Sequence, residues 1–558
     1  MEFVKNHIIE ILGKLGVSKV DLEIPPSLDM GDYAFACFPL AKELKKAPNS
    51  IAEEFSKKIS SDDIIERIEC KGAYLNFYIN RDYFFNNFSL DINKSQKQKI
   101  LVEYPSPNTN KSLHVGHVRN MLLGNSLSRI LKAAGNQVIK TNLNNDRGIA
   151  ICKAMVTYKL FGDGKTPTSE GMKPDKFAEN FYVLFGEKLK EDPNLDNLAQ
   201  DMLLKWEQGD KETIELWELF LGWVFKGYEE TYKNYNFSTD ITYSESKIYD
   251  KGKDIVLEAL DKNIEGFDKE DDGAVFVDLE NKKLGKKFLL RGDGTTLYMT
   301  QDIYLAKLKE EKFNPDKLVF IVGSEQKYHF DVLFELLHRL GFGGVEKNYH
   351  FAYGYVYNKD GKKFSSRTGN TFGADELLEM VTEKSVQVLK EKHPELNDDE
   401  IEKRSRIIGY GALVFGFLKV NPLTDINFDI DSALSFEGET GPYIQYAYAR
   451  IKSIFRKVGI EKIEPKSFSN ISDKEYNIAK KISLFSDIVN DASLNFRPSS
   501  IARYLIELVQ MFGSFYNDHK IIGEEKDIFE KRMYLIGLVA ETIKQGLNLL
   551  DIEVVEEM

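Results

Sequence analysis

Apolar positions recur with a helical period from the start of the chain, where Val4, Ile8, Ile11 and Leu15 share one face. The run Tyr74, Leu75, Phe77, Tyr78 and Ile79 predicts a strand. Residues 1–95 therefore read as a small α/β unit, closed off by the polar stretch Asn93 to Gln98. A second unit opens with an apolar strand over Ile100, Leu101 and Val102 that runs into a Pro/Asn loop. A helix from about Val115 to Ala134 stops at Gly135-Asn136, and Val138 to Leu143 resumes a strand. Strand, helix and strand in that order predict a parallel sheet. Residues from about 155 to 285 are helix-rich and charged, and apolar strand signals return at Leu318 to Val322, so the middle reads as a helical insertion splitting one sheet domain. Beyond about 440 the pattern is purely helical. Ile501, Leu505, Leu508, Phe512 and Phe515 fall on one face, as do Ile536, Val539, Ile543, Leu547 and Leu550. The expected organisation is an N-terminal α/β domain over 1–95, a sheet domain over 96–439 and a helical bundle over 440–558.

Length and composition agree with several folded units, since 558 residues exceed what one core supports. The opening helix carries Glu2 and Glu10 and no small-residue cleavage site, which predicts no export, and the longest apolar stretch, Ile407 to Leu418, falls short of a bilayer span. Three separated cysteines, Cys37, Cys70 and Cys152, match neither a disulfide framework nor a zinc spacing, so a reducing cytoplasm and no structural metal are expected. The net charge of −13 argues against long-range attraction to a polyanion but leaves local basic patches open. Two candidates are Lys282, Lys283, Lys286 and Lys287, and Lys359, Lys362, Lys363 and Arg367.

The sharpest local pattern is His114-Val115-Gly116-His117, between the strand ending near Tyr104 and the helix that follows. A helix N-terminus presents free N–H groups to phosphate, and loops leaving the C-terminal ends of parallel strands form ligand crevices. Gly116 would let a flat purine approach the backbone, and the two imidazoles can donate to phosphate oxygens as charge develops. About 250 residues on, Gly361-Lys362-Lys363-Phe364-Ser365-Ser366-Arg367-Thr368-Gly369-Asn370 sets hydroxyls among basic residues between glycines, as a loop that closes on a triphosphate would. Taken alone, each pattern is also met by surface histidines or by a solvated turn.

Together and in this order they resemble the paired HIGH and KMSKS signatures of class I aminoacyl-tRNA synthetases. Ser435-Phe436-Glu437-Gly438-Glu439-Thr440-Gly441-Pro442-Tyr443-Ile444-Gln445, continuing to Arg450, resembles the junction before the anticodon-binding domain of the arginyl-tRNA synthetases within that class. Gly31-Asp32-Tyr33-Ala34 and Gly72-Ala73-Tyr74-Leu75-Asn76 resemble the family's N-terminal domain, which in relatives contacts the outer corner of the tRNA. The second signature departs from its usual form: Lys363 matches the first lysine, Ser366 replaces the second, and Lys111 occupies the place before HIGH where relatives often carry a compensating lysine.

The resemblance implies a class I Rossmann-like catalytic domain that activates arginine with ATP and Mg²⁺ and loads it onto tRNA(Arg) in the cytoplasm, as a monomer, with no membrane. It implies catalytic roles for Lys111, His114, His117 and Lys363, and ATP binding by Asn108, His114, Gly116, His117, Lys363, Ser365 and Ser366. Arginine would be met by Glu103, Asn108, Tyr298, Asp302 and Gln326. A guanidinium asks for planar, bidentate acceptors, which suits carboxylates, and Tyr298 and Asp302 lie four apart on one helical face. The rivals are a nucleotidyltransferase sharing the His-x-Gly-His site and a tRNA-binding paralogue without catalysis. Among the C-terminal aromatics, Tyr504, Phe512 and Tyr516 are candidates for stacking anticodon bases or for the core.

Overall fold

The computed structural model describes every residue except 1, 26–29, 95, 363–371, 466–467 and 469–470. In the N-terminal region the helix Glu2–Lys14 buries Val4, Ile8 and Leu12, one per turn, beside an antiparallel sheet. The sheet order is Leu22–Glu23, Tyr33–Ala36, Tyr74–Ile79, Ile65–Lys71. Gly31 sits at φ +88°, and a Cβ there would lie 2.9 Å from the Phe77 carbonyl oxygen, so glycine is demanded twice. Asp32 beside it is buried, accepts the Ile79 N–H at 2.8 Å, and receives the Tyr476 hydroxyl and the Lys480 ammonium at 3.1 Å each. The Gly31-Asp32 pair thus anchors the N-terminal sheet to the C-terminal helix Asp473–Ser483, 3.1 Å being an ordinary hydrogen bond.

The central sheet has five parallel strands, Asn348–Tyr353, Lys317–Gly323, Lys99–Glu103, Gln137–Asn144 and Ile241–Ser244, in that spatial order. Leu101 and Leu318 belong to the core on one face, Val102 and Val319 to the core on the other. This is why these strands read as continuous apolar runs rather than alternating ones. Chain order reverses between Lys99–Glu103 and Lys317–Gly323, so the carboxyl ends of those two strands flank the topological switch point where ligands bind in such sheets.

The helix Val115–Ala133 is buried on nearly every face, which makes its polar side chains informative. Arg119, 0% exposed, places its terminal nitrogens 2.7–3.0 Å from the carbonyls of Gly354, Tyr355, Pro422 and Thr424. Burial lowers its pKa only to about 10, so it stays charged and tied to backbone. Asn120 donates to the Ile321 carbonyl at 2.6 Å. Farther along, Asn125 bonds Asp551 at 3.0 Å and Ser126 bonds the Leu549 carbonyl at 3.0 Å. One helix therefore joins the sheet, the segments around 354 and 422, and the end of the chain.

Apart from the later helix Gly252–Asp261, the expected helical insertion over about 155–285 is helical only to Asn234, through Ile149–Phe161, Pro174–Lys188, Leu195–Glu207 and Lys211–Asn234. Beyond it Ile241–Ser244 is the fifth strand of the parallel sheet itself, and Phe267–Lys269, Val275–Asp278 and Lys286–Leu290 make a separate antiparallel sheet. The strand signal Ile241-Thr242-Tyr243 spans too few residues to show a period, so pairing with Thr141 to Asn144 decides it.

The C-terminal region is helical among the described residues: Gly441–Val458, Asp473–Ser483, Phe485–Leu494, Pro498–Asp518 and Lys526–Leu549. Thr440 caps the first, accepting the Tyr443 N–H at 3.1 Å, and Pro442 stands in its first turn, where a missing N–H costs nothing. Gly441 abuts Gly411 so closely that a Cβ would lie 2.4 Å from its carbonyl oxygen, and the buried Gln445 donates to the Glu553 carbonyl at 2.7 Å. The junction motif is thereby explained as packing among three segments. Ile501, Leu505, Leu508, Phe512 and Phe515 are all buried, each contributing about 1.5–3 kcal/mol. No described helix is long and apolar enough to cross a membrane.

Candidate active site

On one side of the switch point the strand Lys99–Glu103 leads into an irregular loop and then into the helix Val115–Ala133. The loop's first half leans on the next strand's extension: the Asn145 N–H donates to the Pro107 carbonyl at 3.1 Å, and Thr109 donates to the Asn145 carbonyl from its N–H (3.2 Å) and its hydroxyl (3.0 Å). At its exit, the Val115 N–H donates to the Phe372 carbonyl at 3.2 Å and the Ala374 N–H to the Leu113 carbonyl at 2.9 Å. Residues 372–374 lie just beyond the second sequence signature, so the segment after it pairs through its backbone with the loop that carries the first.

His114 is the helix N-cap. Its Nδ1 accepts the Gly116 N–H at 3.1 Å, and Nδ1 of His117 accepts the His114 N–H at 3.1 Å, a reciprocal capping pair with ring centroids 4.0 Å apart. Burial and the neighbouring Lys111 lower the pKa of His114, and burial, His114 and Lys111 hold that of His117 well below its ordinary value. Both rings are therefore neutral near pH 7. With each Nδ1 engaged as an acceptor, the single proton sits on Nε2, leaving two neutral N–H donors unspent by the cap. Gly116 makes this possible, because a Cβ there would lie 3.0 Å from the His114 ring. The His114 imidazole packs where a side chain at position 116 would begin. Lys111 is exposed, 5.8 Å from the Tyr182 ring centre, and Asn108 is exposed nearby in the chain.

A set of acids gathers about the helix Tyr298–Phe313. Asp302, on the helix Tyr298–Phe313, pairs with His329 Nε2 at 2.7 Å. Glu245 follows the edge strand Ile241–Ser244, and burial pushes its carboxyl up to about 7, with Asp146 and Asp302 adding to the rise and Arg147 opposing it. Tyr298, 79% exposed, opens the helix that carries Asp302, and Gln326 is exposed in the single turn Ser324–Gln326 that leaves the strand Lys317–Gly323. Glu103 does close its strand, but its carboxylate is bound by the ammonium of Lys309, 1% exposed on the same helix as Asp302. The acid expected to meet a guanidinium already has a buried cation as its partner.

Lys363, Ser365, Ser366 and Arg367 lie outside the described residues. The other expected groups fall into two sets, Asn108, Lys111, His114, Gly116 and His117 in the loop and helix start after the strand Lys99–Glu103, and Glu103, Tyr298, Asp302 and Gln326 on or near the helix Tyr298–Phe313 and the strand ends beside it. Sequence reasoning missed Glu245, Lys309 and His329. His329 stands in the same segment as Gln326 and could have been paired with Asp302 by its position in the following helix; the other two carry no local signal. The first lysine cluster is partly spent in ion pairs, Lys282 with Glu335 at 3.6 Å and Lys286 with Glu270. Tyr504 and Phe512 are buried core residues, so neither stacks a base, whereas Tyr516 is half-buried under the Arg450 guanidinium at 4.7 Å. The three cysteines are free thiols.

Three family models match the chain in succession: arginyl tRNA synthetase N terminal domain over 2–79, tRNA synthetases class I (R), catalytic domain over 82–430, and DALR anticodon binding domain over 444–558. An arginine–tRNA ligase of Parabacteroides distasonis is 39% identical, covering 97% of this chain and 96% of its own. One from Treponema denticola is 38% identical, covering 98% and 96%. Among solved structures, Thermus thermophilus arginyl-tRNA synthetase superposes over the full length of both chains with a TM-score of 0.84 at 26% identity. A Plasmodium falciparum arginyl-tRNA synthetase shares the fold, with a TM-score of 0.80 at 22% identity.

Proposed function

The chain belongs to the arginyl-tRNA synthetases, and from that membership we propose how its two-sided crevice divides the work of arginine–tRNA ligation. The enzyme activates arginine with ATP to arginyl-adenylate and transfers the arginyl group to the 3′-terminal ribose of its tRNA. The arginine carboxylate attacks the α-phosphorus, pyrophosphate leaves, and a ribose hydroxyl, the 2′ in our reading, then attacks the acyl carbon and displaces AMP.

The Nε2–H groups of His114 and His117 donate to phosphate oxygens, and the Lys111 ammonium adds the positive charge that Ser366 cannot supply. Lys363, Ser365 and Ser366 join from the second signature, and Asn108 and Gly116 shape the nucleotide side. Such preset donors stabilise the charge that develops at the pentacoordinate phosphorus without any covalent step. Mg²⁺ arriving with ATP would supply further positive charge to the phosphates, as suits a small ion that keeps much of its water. No described cluster of His, Cys, Asp or Glu side chains stands ready to hold a metal by itself.

Arginine lies on the acidic side, its guanidinium between Asp302 and Glu245, with Tyr298 and Gln326 closing over it, Asn108 at its other end and Glu103 acting through its pair with Lys309. The observation that supports this reading best is the neutral, capped histidine pair at the start of the helix Val115–Ala133, which the loop after the strand Lys99–Glu103 delivers to the switch point. We place domain boundaries near residues 95 and 440, a monomer in the cytoplasm, and Tyr516 among the residues that meet the anticodon loop.

Arginine-dependent ATP–pyrophosphate exchange with and without tRNA tests the reading. Exchange with arginine and tRNA together, and with neither lysine nor glutamate in place of arginine, is the expected result. Exchange supported equally by lysine would overturn the guanidinium site.

A further inference from the structure

Asn108 to His114 form no regular element, yet the groups assigned to the triphosphate sit in or beside them. A loop of this kind acquires its geometry from whatever its backbone is bonded to. Asn145 holds its entry and residues 372–374 its exit, and between those ends the partners come from the helical insertion. The hydroxyl of Tyr228, on the helix Lys211–Asn234, lies 2.9 Å from the Asn108 carbonyl oxygen and 2.6 Å from that of Lys111. The side chain is 1% exposed, so no water replaces it. Two residues before His114, the Ser112 hydroxyl donates to Glu179 at 2.5 Å on the helix Pro174–Lys188, and Lys176 holds that carboxylate at 2.7 Å.

The two bracing helices are themselves locked together beside Tyr228. At Gly227 a Cβ would lie 2.2 Å from the Asp175 side chain, so the helices touch at the residue preceding the brace and Tyr228 has one available height. Burial keeps the phenol protonated throughout the working pH range, so it remains a donor.

We infer that Tyr228 is a positioning residue for adenylate formation, seconded by Glu179: the insertion is the template that holds the Lys111 backbone, and through it the ammonium, against the phosphates of ATP. The inference rests on the assignment of Lys111, His114 and His117 to those phosphates. A residue acting this way touches no substrate, and removing its hydroxyl leaves two carbonyls without a donor while the fold keeps the ring.

Pyrophosphate exchange in the presence of tRNA, measured for Tyr228→Phe, Lys111→Ala and the double variant, tests it. Tyr228→Phe is expected to lower kcat about tenfold to a hundredfold, the scale of a misplaced reacting group, with KM for arginine and the Kd for tRNA unchanged. When Lys111 is already Ala, adding Tyr228→Phe should cost less than about threefold, because coupled residues do not add. Should Tyr228→Phe fail to fold, Ser112→Ala at the other brace must show the same pattern on a smaller scale. Full exchange by a folded Tyr228→Phe beside a crippled Lys111→Ala would overturn the inference alone, as would losses that multiply in the double variant. Undiminished exchange by Lys111→Ala would overturn the phosphate assignment and the inference together.

Discussion

The two sets of groups, one proposed for the nucleotide and one proposed for arginine, are built on opposite plans. On the nucleotide side the donors are neutral imidazoles whose other nitrogens are spent in capping a helix, so their tautomer and their charge are set before any ligand arrives. On the proposed arginine side the groups are acids: burial raises Glu245 to about 7, Asp302 pairs with His329, and Glu103 is held by Lys309. The contrast follows from the cost of burying charge. A half-buried cluster of cations awaiting a polyanion would repel itself when empty, whereas neutral N–H donors and one exposed lysine do not. A pocket for a single cation can instead hold an acid such as Glu245 partly protonated until the charge of the guanidinium drives its proton to solvent.

The largest expected effect breaks the nucleotide side: Lys111→Ala slows pyrophosphate exchange by about a thousandfold, and a loss below about tenfold would mean that the replacement of a lysine by Ser366 needs no compensation. Next, Asp302→Asn raises KM for arginine by about a hundredfold and leaves KM for ATP nearly unchanged. Equal changes in both would refute a side-chain role and erase the contrast. A pH series separates the sides more finely. Glu245 carries its proton below about 7 and must lose it to meet a cation, so KM for arginine rises as pH falls below 7, by up to about tenfold per unit, and is flat above. Glu245→Gln removes that slope, while KM for ATP shows none in either enzyme because the imidazoles are already neutral. The smallest effect lies outside both sides: Thr440→Ala removes the cap of the junction helix and costs about 1 kcal/mol in denaturant unfolding with pyrophosphate exchange intact.

Periodicity made the elements legible. The strand over Lys99–Glu103, the helix Val115–Ala133 and the C-terminal helices are each written within a dozen or two residues, and His114 could be placed at a helix start for the same reason. Apart from the helix Gly252–Asp261, the insertion was legible only as far as Asn234, because the short strand that follows carries no period of its own. Tyr504 and Phe512 offered aromatic faces to RNA or to the core on equal terms until packing buried them.

What the sequence by itself determined is therefore local and additive: which segments are helices, which are strands, and which residue types stand in the loops after them. The tertiary structure alone decided who meets whom. Lys309 reaches Glu103 across 206 positions and Tyr228 reaches Lys111 across 117, while Glu245 joins Asp302 only because the edge strand Ile241–Ser244 pairs with Gln137–Asn144. No pattern along the chain encodes such pairings, since the order of strands in a sheet, and the side of it on which each connection returns, sets which loop ends share a crevice.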